Sequence, residues 1–297
     1  IHLSDKPEFG LGSFRNLAVQ HSGRNLSFFV DYFGIDNDYY ADIGFIPRLD
    51  NYDAANDTIV HLGYEHLYSQ VGYTWRPRGE RAVVAHGFNL RNRQDWLIDW
   101  EFNERSSSVD YEVQFRNTSE IGFSFEDNDT RLLFATAFTD GEPLPPGKYL
   151  YRNVSMAYES DERKALAFEG EVQLGDFYNG SLNRYSAGLT YREQPWGNFS
   201  LTIEQNFLRL PEPFGGADLT LINQRSEVNF SNRIFWTTFL QYNTQADNFN
   251  INSRLQWRFA PMSDLFIVYS DNYLSSPFLQ VNRNRGIVLK LNYWLTL

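Results

Sequence analysis

The sequence predicts an all-β chain, an antiparallel transmembrane β-barrel of about 14–16 strands, and three observations lead there. No apolar run approaches the ~20 residues that a membrane helix needs. The longest, around Leu132 to Phe138, is a third of that, and mean hydropathy is −0.47. Aromatic residues make up 17% of the chain, with 25 Phe, 18 Tyr and 7 Trp. Aromatics favour strands, and Tyr and Trp favour the border between lipid and water. The third observation is apolar and polar residues alternating with period two, the mark of a strand with unlike faces.

The stretch Phe249 to Phe259 shows that alternation most fully. Phe249, Ile251, Leu255, Trp257 and Phe259 share one face, interrupted by Ser253, while Asn250, Asn252, Arg254, Gln256 and Arg258 share the other. A strand with one face on hydrocarbon and the other toward a wet lumen requires this pattern. The last segment repeats it, with Ile287, Leu289, Leu291, Tyr293, Leu295 and Leu297 opposed by Val288, Lys290, Asn292, Trp294 and Thr296. It reads as a closing strand that runs to the final residue. Tyr111, Val113 and Phe115 oppose Glu112, Gln114 and Arg116, and Phe199, Leu201 and Ile203 oppose Ser200, Thr202 and Glu204. Arg233 to Tyr242 is aromatic on both faces, so some Phe side chains are expected to point inward or to pack on a plug.

The connections have two lengths. Short turns are expected at residues 76–79, 116–118, 160–163, 194–197, 231–232 and 260–263. Longer polar stretches are expected at Ile35 to Asp57, Glu126 to Lys148, Arg209 to Asp218 and Asn272 to Arg283. Short turns on one rim and long loops on the other are the asymmetry of periplasmic and extracellular sides. The expectation is one barrel over residues 1–297 in a bacterial outer membrane, with 1–10 a periplasmic or linker segment. No cationic n-region precedes an apolar core at the start, so an export signal is expected to have been removed.

Composition excludes several classes. A formal charge of −11 and a pI near 4.9 argue against nucleic acid, whose backbone needs a basic partner. With no cysteine there is neither a disulfide framework nor a thiolate metal site. His61-Leu62-Gly63-Tyr64-Glu65-His66 invites a zinc reading, but on a strand His61 and Glu65 share a face and His66 points away. A barrel hydrolase acting on lipid or glycan would need a Ser–His pair; Ser69 lies near His66 and Ser22 near His21, but neither pair sits in a recognisable nucleophile setting and no G-x-S-x-G occurs. Asp36, Asp38 and Asp42 in the first long loop are candidate calcium ligands, though the ordered ladder of a calcium loop is missing. No other cofactor is expected. Tyr39 and Tyr40 beside those carboxylates are candidate stacking surfaces for sugar rings.

The inferred lumen face carries Glu112, Arg116, Glu169, Glu171, Glu204, Glu227, Arg254, Arg258 and Lys290. Charges of both signs suit either a water-filled channel or a lumen closed by bridging ion pairs.

Two blocks of sequence carry a resemblance. One is Asn25–Arg78, with Ala41-Asp42-Ile43-Gly44-Phe45-Ile46-Pro47-Arg48 and Gly72-Tyr73-Thr74-Trp75-Arg76-Pro77. The other comprises Gly175-Asp176-Phe177-Tyr178-Asn179-Gly180, Leu240-Gln241-Tyr242-Asn243-Thr244, Leu255-Gln256-Trp257-Arg258-Phe259 and Ser263 to Tyr269. They resemble a bacterial family of large outer-membrane barrels fused behind a carbohydrate-binding domain of the family-nine type. Residues 80–170 match only as generic barrel strands. The resemblance implies a barrel portion whose sugar-binding domain, and some first strands, lie upstream. It supplies no catalytic residues.

The function expected from these readings is a passive pore, or a membrane anchor linked to glycan binding or uptake. Its partners would be outer-membrane lipids, glycans or another outer-membrane protein. The alternatives are a scaffold subunit of an outer-membrane complex and a barrel hydrolase. A soluble β-sandwich would instead require the polar row Asn250 to Arg258 to face solvent over a second sheet.

Overall fold

The computed structural model describes residues 2–6, 10–40, 46, 48–79, 81–275 and 281–295, with the side chains of 2 and 4–6 left aside. The strands are β1 (His2–Lys6), β2 (Gly10–Ser22), β3 (Leu26–Ile35), β4 (Asp50–Asp53), β5 (Thr58–His61), β6 (Tyr64–Trp75), β7 (Val83–Leu97), β8 (Phe102–Phe115) and β9 (Glu120–Leu132). They continue as β10 (Gly147–Glu159), β11 (Leu166–Phe177), β12 (Gly180–Glu193), β13 (Gly197–Arg209), β14 (Gly216–Asn229), β15 (Ile234–Asn243), β16 (Asn248–Ala260), β17 (Ser263–Tyr273) and β18 (Asn282–Asn292). Sixteen of them form a single antiparallel sheet in chain order, and β4 and β5 pair separately as a hairpin. Among the described residues there is no helix.

Residues directly opposite in an antiparallel pair share a face, so the registers carry one face across the sheet. The row Phe28, Val71, Leu90, Val109, Phe125, Val154 and Leu174 runs from β3 to β11 through direct pairs. Leu201 and Ile203 on β13, Leu240 on β15, Ile251 and Leu255 on β16, Ile267 on β17 and Leu289 on β18 lie on that same face. Most of these side chains are exposed. The opposite face bears Glu112, Glu169, Glu171, Glu204, Glu227, Arg254, Arg258 and Lys290, together with Asp95, Glu104 and Asp110.

Several boundaries differ from expectation. Residues 126–132, expected in a long loop, belong to β9. The acidic run Glu126-Asp127-Asn128-Asp129 is a poor strand former alone, but Asp127 meets Arg105 and Arg152 on the neighbouring strands and Asp129 meets Lys148. The long loop is therefore 133–146. Three tight turns, 98–101, 178–179 and 244–247, share the rim with the long loops, so the asymmetry in loop length is partial. β18 stops at Asn292, leaving Tyr293 and Leu295 beyond the strand, and Leu297 lies outside the described residues. Phe235 and Phe239 do point to the polar face, where the Arg258 guanidinium lies 6.0 Å from the Phe235 ring.

The sheet has little conventional core. Among the described residues only Ile35, Tyr39, Leu49, Tyr64, Leu144, Ala167 and Leu208 are fully buried apolar residues. The first four cluster with Phe14, Phe33 and Ile46, so that Tyr39, Ile46 and Leu49 from the connection between β3 and β6 pack on the polar face. One edge of the sheet is β18. At the other, β1 covers only Gly10–Phe14 of β2, so the outer edges of β18 and of residues 15–22 have no strand partner among the described residues.

Candidate functional site

The densest polar network lies at the long-loop end of the polar face, where β6 to β9 terminate. Asp95 and Glu104 are directly opposed on β7 and β8, and His66 on β6 is directly opposed to Asp95. The His66 Nδ1 is 2.5 Å from Asp95 Oδ1, and Arg93 pairs with both Glu104 and Asp95. Arg48 reaches this wall from the loop that carries the β4–β5 hairpin, lying 3.2 Å from Asp95 and 2.5 Å from Glu104. Burial works against the Arg48 charge, but the Glu104 hydrogen bond and the Glu104 and Asp95 charges outweigh it and raise its pKa. Its backbone is left-handed, φ 71°, a conformation unfavourable for a side chain with a Cβ and kept only where surrounding contacts hold it.

A cavity of about 490 Å³ opens beside this network. The hairpin supplies Tyr52 to its lining, the wall supplies Tyr64, Asp95 and Glu104, the 133–146 loop supplies Phe134, and the turn after β11 supplies Tyr178. Burial pushes the Tyr178 phenol well above its ordinary pKa. The mouth is bridged from segment to segment. The Ala54 N–H donates to the Ala135 carbonyl at 3.0 Å, and the Glu142 N–H donates to the Pro213 carbonyl at 3.2 Å. Phe138 packs on Phe177 and Tyr178 with ring centroids 5.1 and 4.7 Å away. The sequence reading named none of Arg48, Arg93, Asp95, Glu104 or Tyr178 as site residues. No local motif marks them, because only strand register brings them together.

The predicted residues are distributed differently. Glu112, Glu169, Glu171, Glu204, Glu227, Arg254, Arg258 and Lys290 form rows along the polar face rather than one centre. Arg116 is not part of that face; it sits in the turn after β8, its N–H donating to the Ala82 carbonyl. Phe249, Ile251, Leu255, Trp257, Phe259, Ile287, Leu289 and Leu291 share the apolar face.

In the first loop, the Ser13 hydroxyl, with help from Arg15, holds the Asp36 carboxyl below the usual carboxylate range. That carboxylate is occupied by Ser13 at 2.5 Å and Arg15 at 3.1 Å. Asp38 is exposed and Asp42 lies outside the described residues. Among the described residues no three His, Cys, Asp or Glu side chains converge as metal ligands. Tyr39 is buried against Phe14, so its ring is not presented to a ligand, whereas Tyr40 is exposed. His61 pairs with Asp50, His66 with Asp95 and Glu65 with Arg15, so the histidine run diverges. His66 and Ser69 lie three residues apart on one strand and face opposite ways, as do His21 and Ser22.

The fold and mouth define an all-β protein whose single large sheet exposes its apolar face and gathers charge on the other. No family model matches the chain, and no curated protein matches it.

Proposed function

We propose that this chain is a bacterial outer-membrane β-barrel acting as a passive pore for small hydrophilic solutes, its mouth narrowed by the hairpin at residues 48–62. The observation that carries the reading is the inversion of the faces. Exposed apolar side chains continue from β2 to β18, while the charged rows occupy the face on which the loop folds. Soluble monomers rarely expose a contiguous apolar patch beyond a few hundred Å², and hydrocarbon is the solvent that suits one spanning fifteen strands.

Two quantities support it. The accessible surface is 18659 Å², against roughly 13,000 Å² for a compact soluble protein of this mass. The excess is that of a wall wet on one side rather than a packed core. The outward row Phe249 to Phe259 spans about 33 Å along the strand, or about 25 Å of height at a tilt of about 40°, the thickness of an outer-membrane apolar band.

A wall of 16 strands leaves an aqueous channel, and the ion-paired mouth with its 490 Å³ cavity would limit what passes. The test is reconstitution into planar bilayers after refolding in detergent. Stepwise conductance is expected, and an oligosaccharide that blocks it from the long-loop side would add glycans as partners. A chain that stays folded in buffer without detergent would overturn the membrane reading. Insertion with electrical silence would instead favour the second reading, a scaffold or anchor. The inward Phe235 and Phe239 and the bridged loops give that reading its support.

A further inference from the structure

We infer that the long-loop rim of the apolar face is a collar for phosphate-bearing anionic lipid headgroups, an assignment that rests on the membrane reading above. Seven cations stand on that face near the long-loop end: Arg15 on β2, Arg105 on β8, Arg131 on β9, Lys148 and Arg152 on β10, Arg209 on β13 and Arg285 on β18. The short-turn half holds His21 and His86 and, among the described strand residues, no Lys, Arg or Asp; Glu193, at the last position of β12, is its one glutamate. In a chain of net charge −11, such one-sided placement is not an average property of the surface.

The second observation is how the cations are mounted. Each is paired to a carboxylate, in most cases one set deeper in the wall. Arg152 is 70% exposed over Asp127 at 26%, Lys148 60% over Asp129 at 12%, Arg285 54% over Asp271 at 0%, and Arg15 37% over Glu65 at 0%. Arg209 with Asp218 and Arg131 with Glu101 are the exceptions, each pair about equally exposed. A carboxylate beside a guanidinium fixes its direction with one or two of its five N–H donors, and at Arg152, whose Nε donates to Asp127 at 2.6 Å, the strongly exposed head keeps the others for a ligand. Those donors match phosphate oxygens. Directly below lie Val154 and Phe125, where the apolar row begins, so a lipid with its chains on that row would place its phosphate at the collar. Because every one of these cations is paired to an acid, Arg105 and Arg152 sharing Asp127, the expected preference is severalfold rather than many orders of magnitude.

The test is native mass spectrometry of the delipidated protein from micelles containing phosphatidylglycerol and phosphatidylcholine in equal amounts. Wild type is expected to retain phosphatidylglycerol over phosphatidylcholine by at least about fivefold, the effect of one surface cation. Lys148→Gln with Arg152→Gln should bring the ratio toward parity. Arg78→Gln, in a turn at the opposite rim, should leave it unchanged. If the pair perturbs folding, Arg285→Gln on a distant strand should shift the ratio in the same direction. Equal retention of both lipids by wild type, or an unaltered ratio in a folded double variant, would overturn the assignment. Loss of phosphatidylglycerol to excess inorganic phosphate would reassign the cations to free phosphate and remove the lipid. A protein that enters no bilayer fails the membrane reading itself, whereas one that inserts without regard to headgroup loses only the collar.

Discussion

Asp161, in the short turn between β10 and β11, shows how one side chain fixes a local conformation. Its carboxylate accepts from the Arg163 guanidinium at 2.8 and 2.9 Å, from the Arg163 N–H at 3.0 Å and from Thr118 in the neighbouring turn at 3.0 Å. The Arg163 guanidinium, followed by the backbone and Thr118 donors, holds this carboxyl well below the usual carboxylate range. A depressed folded-state pKa stabilises the turn at pH above the unfolded value and loses that contribution as pH falls toward the folded one. The Arg163 amide is therefore expected to keep its exchange protection down to about pH 4 and to lose it progressively below. Hydrogen exchange across that range checks it, and protection that persists in Asp161→Ala would refute the role.

At the scale of an element, the two faces of β13 are the sharpest contrast. Leu201 is exposed on the apolar face between Phe199 and Ile203, whereas Thr202 points to the polar face between Gly188 and Asn223. If the apolar face meets hydrocarbon, Leu201→Arg should cost about 2–4 kcal/mol near the midplane. Thr202→Arg, one residue on, should change stability by less than about 1 kcal/mol, as substitutions on a wet surface do. Urea-dependent refolding into lipid vesicles measures both. Similar costs for the two substitutions would mean that hydrocarbon does not distinguish the faces. β9 makes a complementary point. Its acidic half is a strand only because Arg105, Lys148 and Arg152 on adjacent strands compensate it.

For the whole molecule, the sheet edges decide what kind of wall this is. Strand direction alternates along the sheet, so β1 and β18 run oppositely and are able to pair antiparallel. Unpaired edge groups in hydrocarbon cost several kcal/mol each, which is why spanning sheets close. If the sheet spans a bilayer, the β18 amides that face away from β17 are accordingly expected to be as protected from exchange as those of β16. Rapid exchange confined to that edge would show a wall open along β18. The apolar side chains of β18 give the edge its importance, Ile287 and Leu289 being about 70% exposed.

Much of this architecture was legible in the sequence because a pleated strand has period two, and the alternation from Phe249 to Phe259 assigns faces without knowledge of any neighbour. The short turns and the polar rows through Glu112, Glu171, Glu204 and Arg254 follow from the same local rule. Local rules failed where a residue's state depends on the adjacent strand. The acids of β9 read as loop, Arg116 read as wall, and Tyr39 read as an exposed platform although it packs against Phe14. The mouth was invisible for the same reason. Arg48, Asp95, Glu104 and Tyr178 are far apart in the chain, and it is register and loop packing that bring their charges and rings together. Sequence by itself determined an antiparallel sheet with one apolar and one polar face, since backbone geometry imposes that periodicity residue by residue. Only the tertiary structure decided which charges meet, because ion pairing acts through space and the spacing between strands sets it.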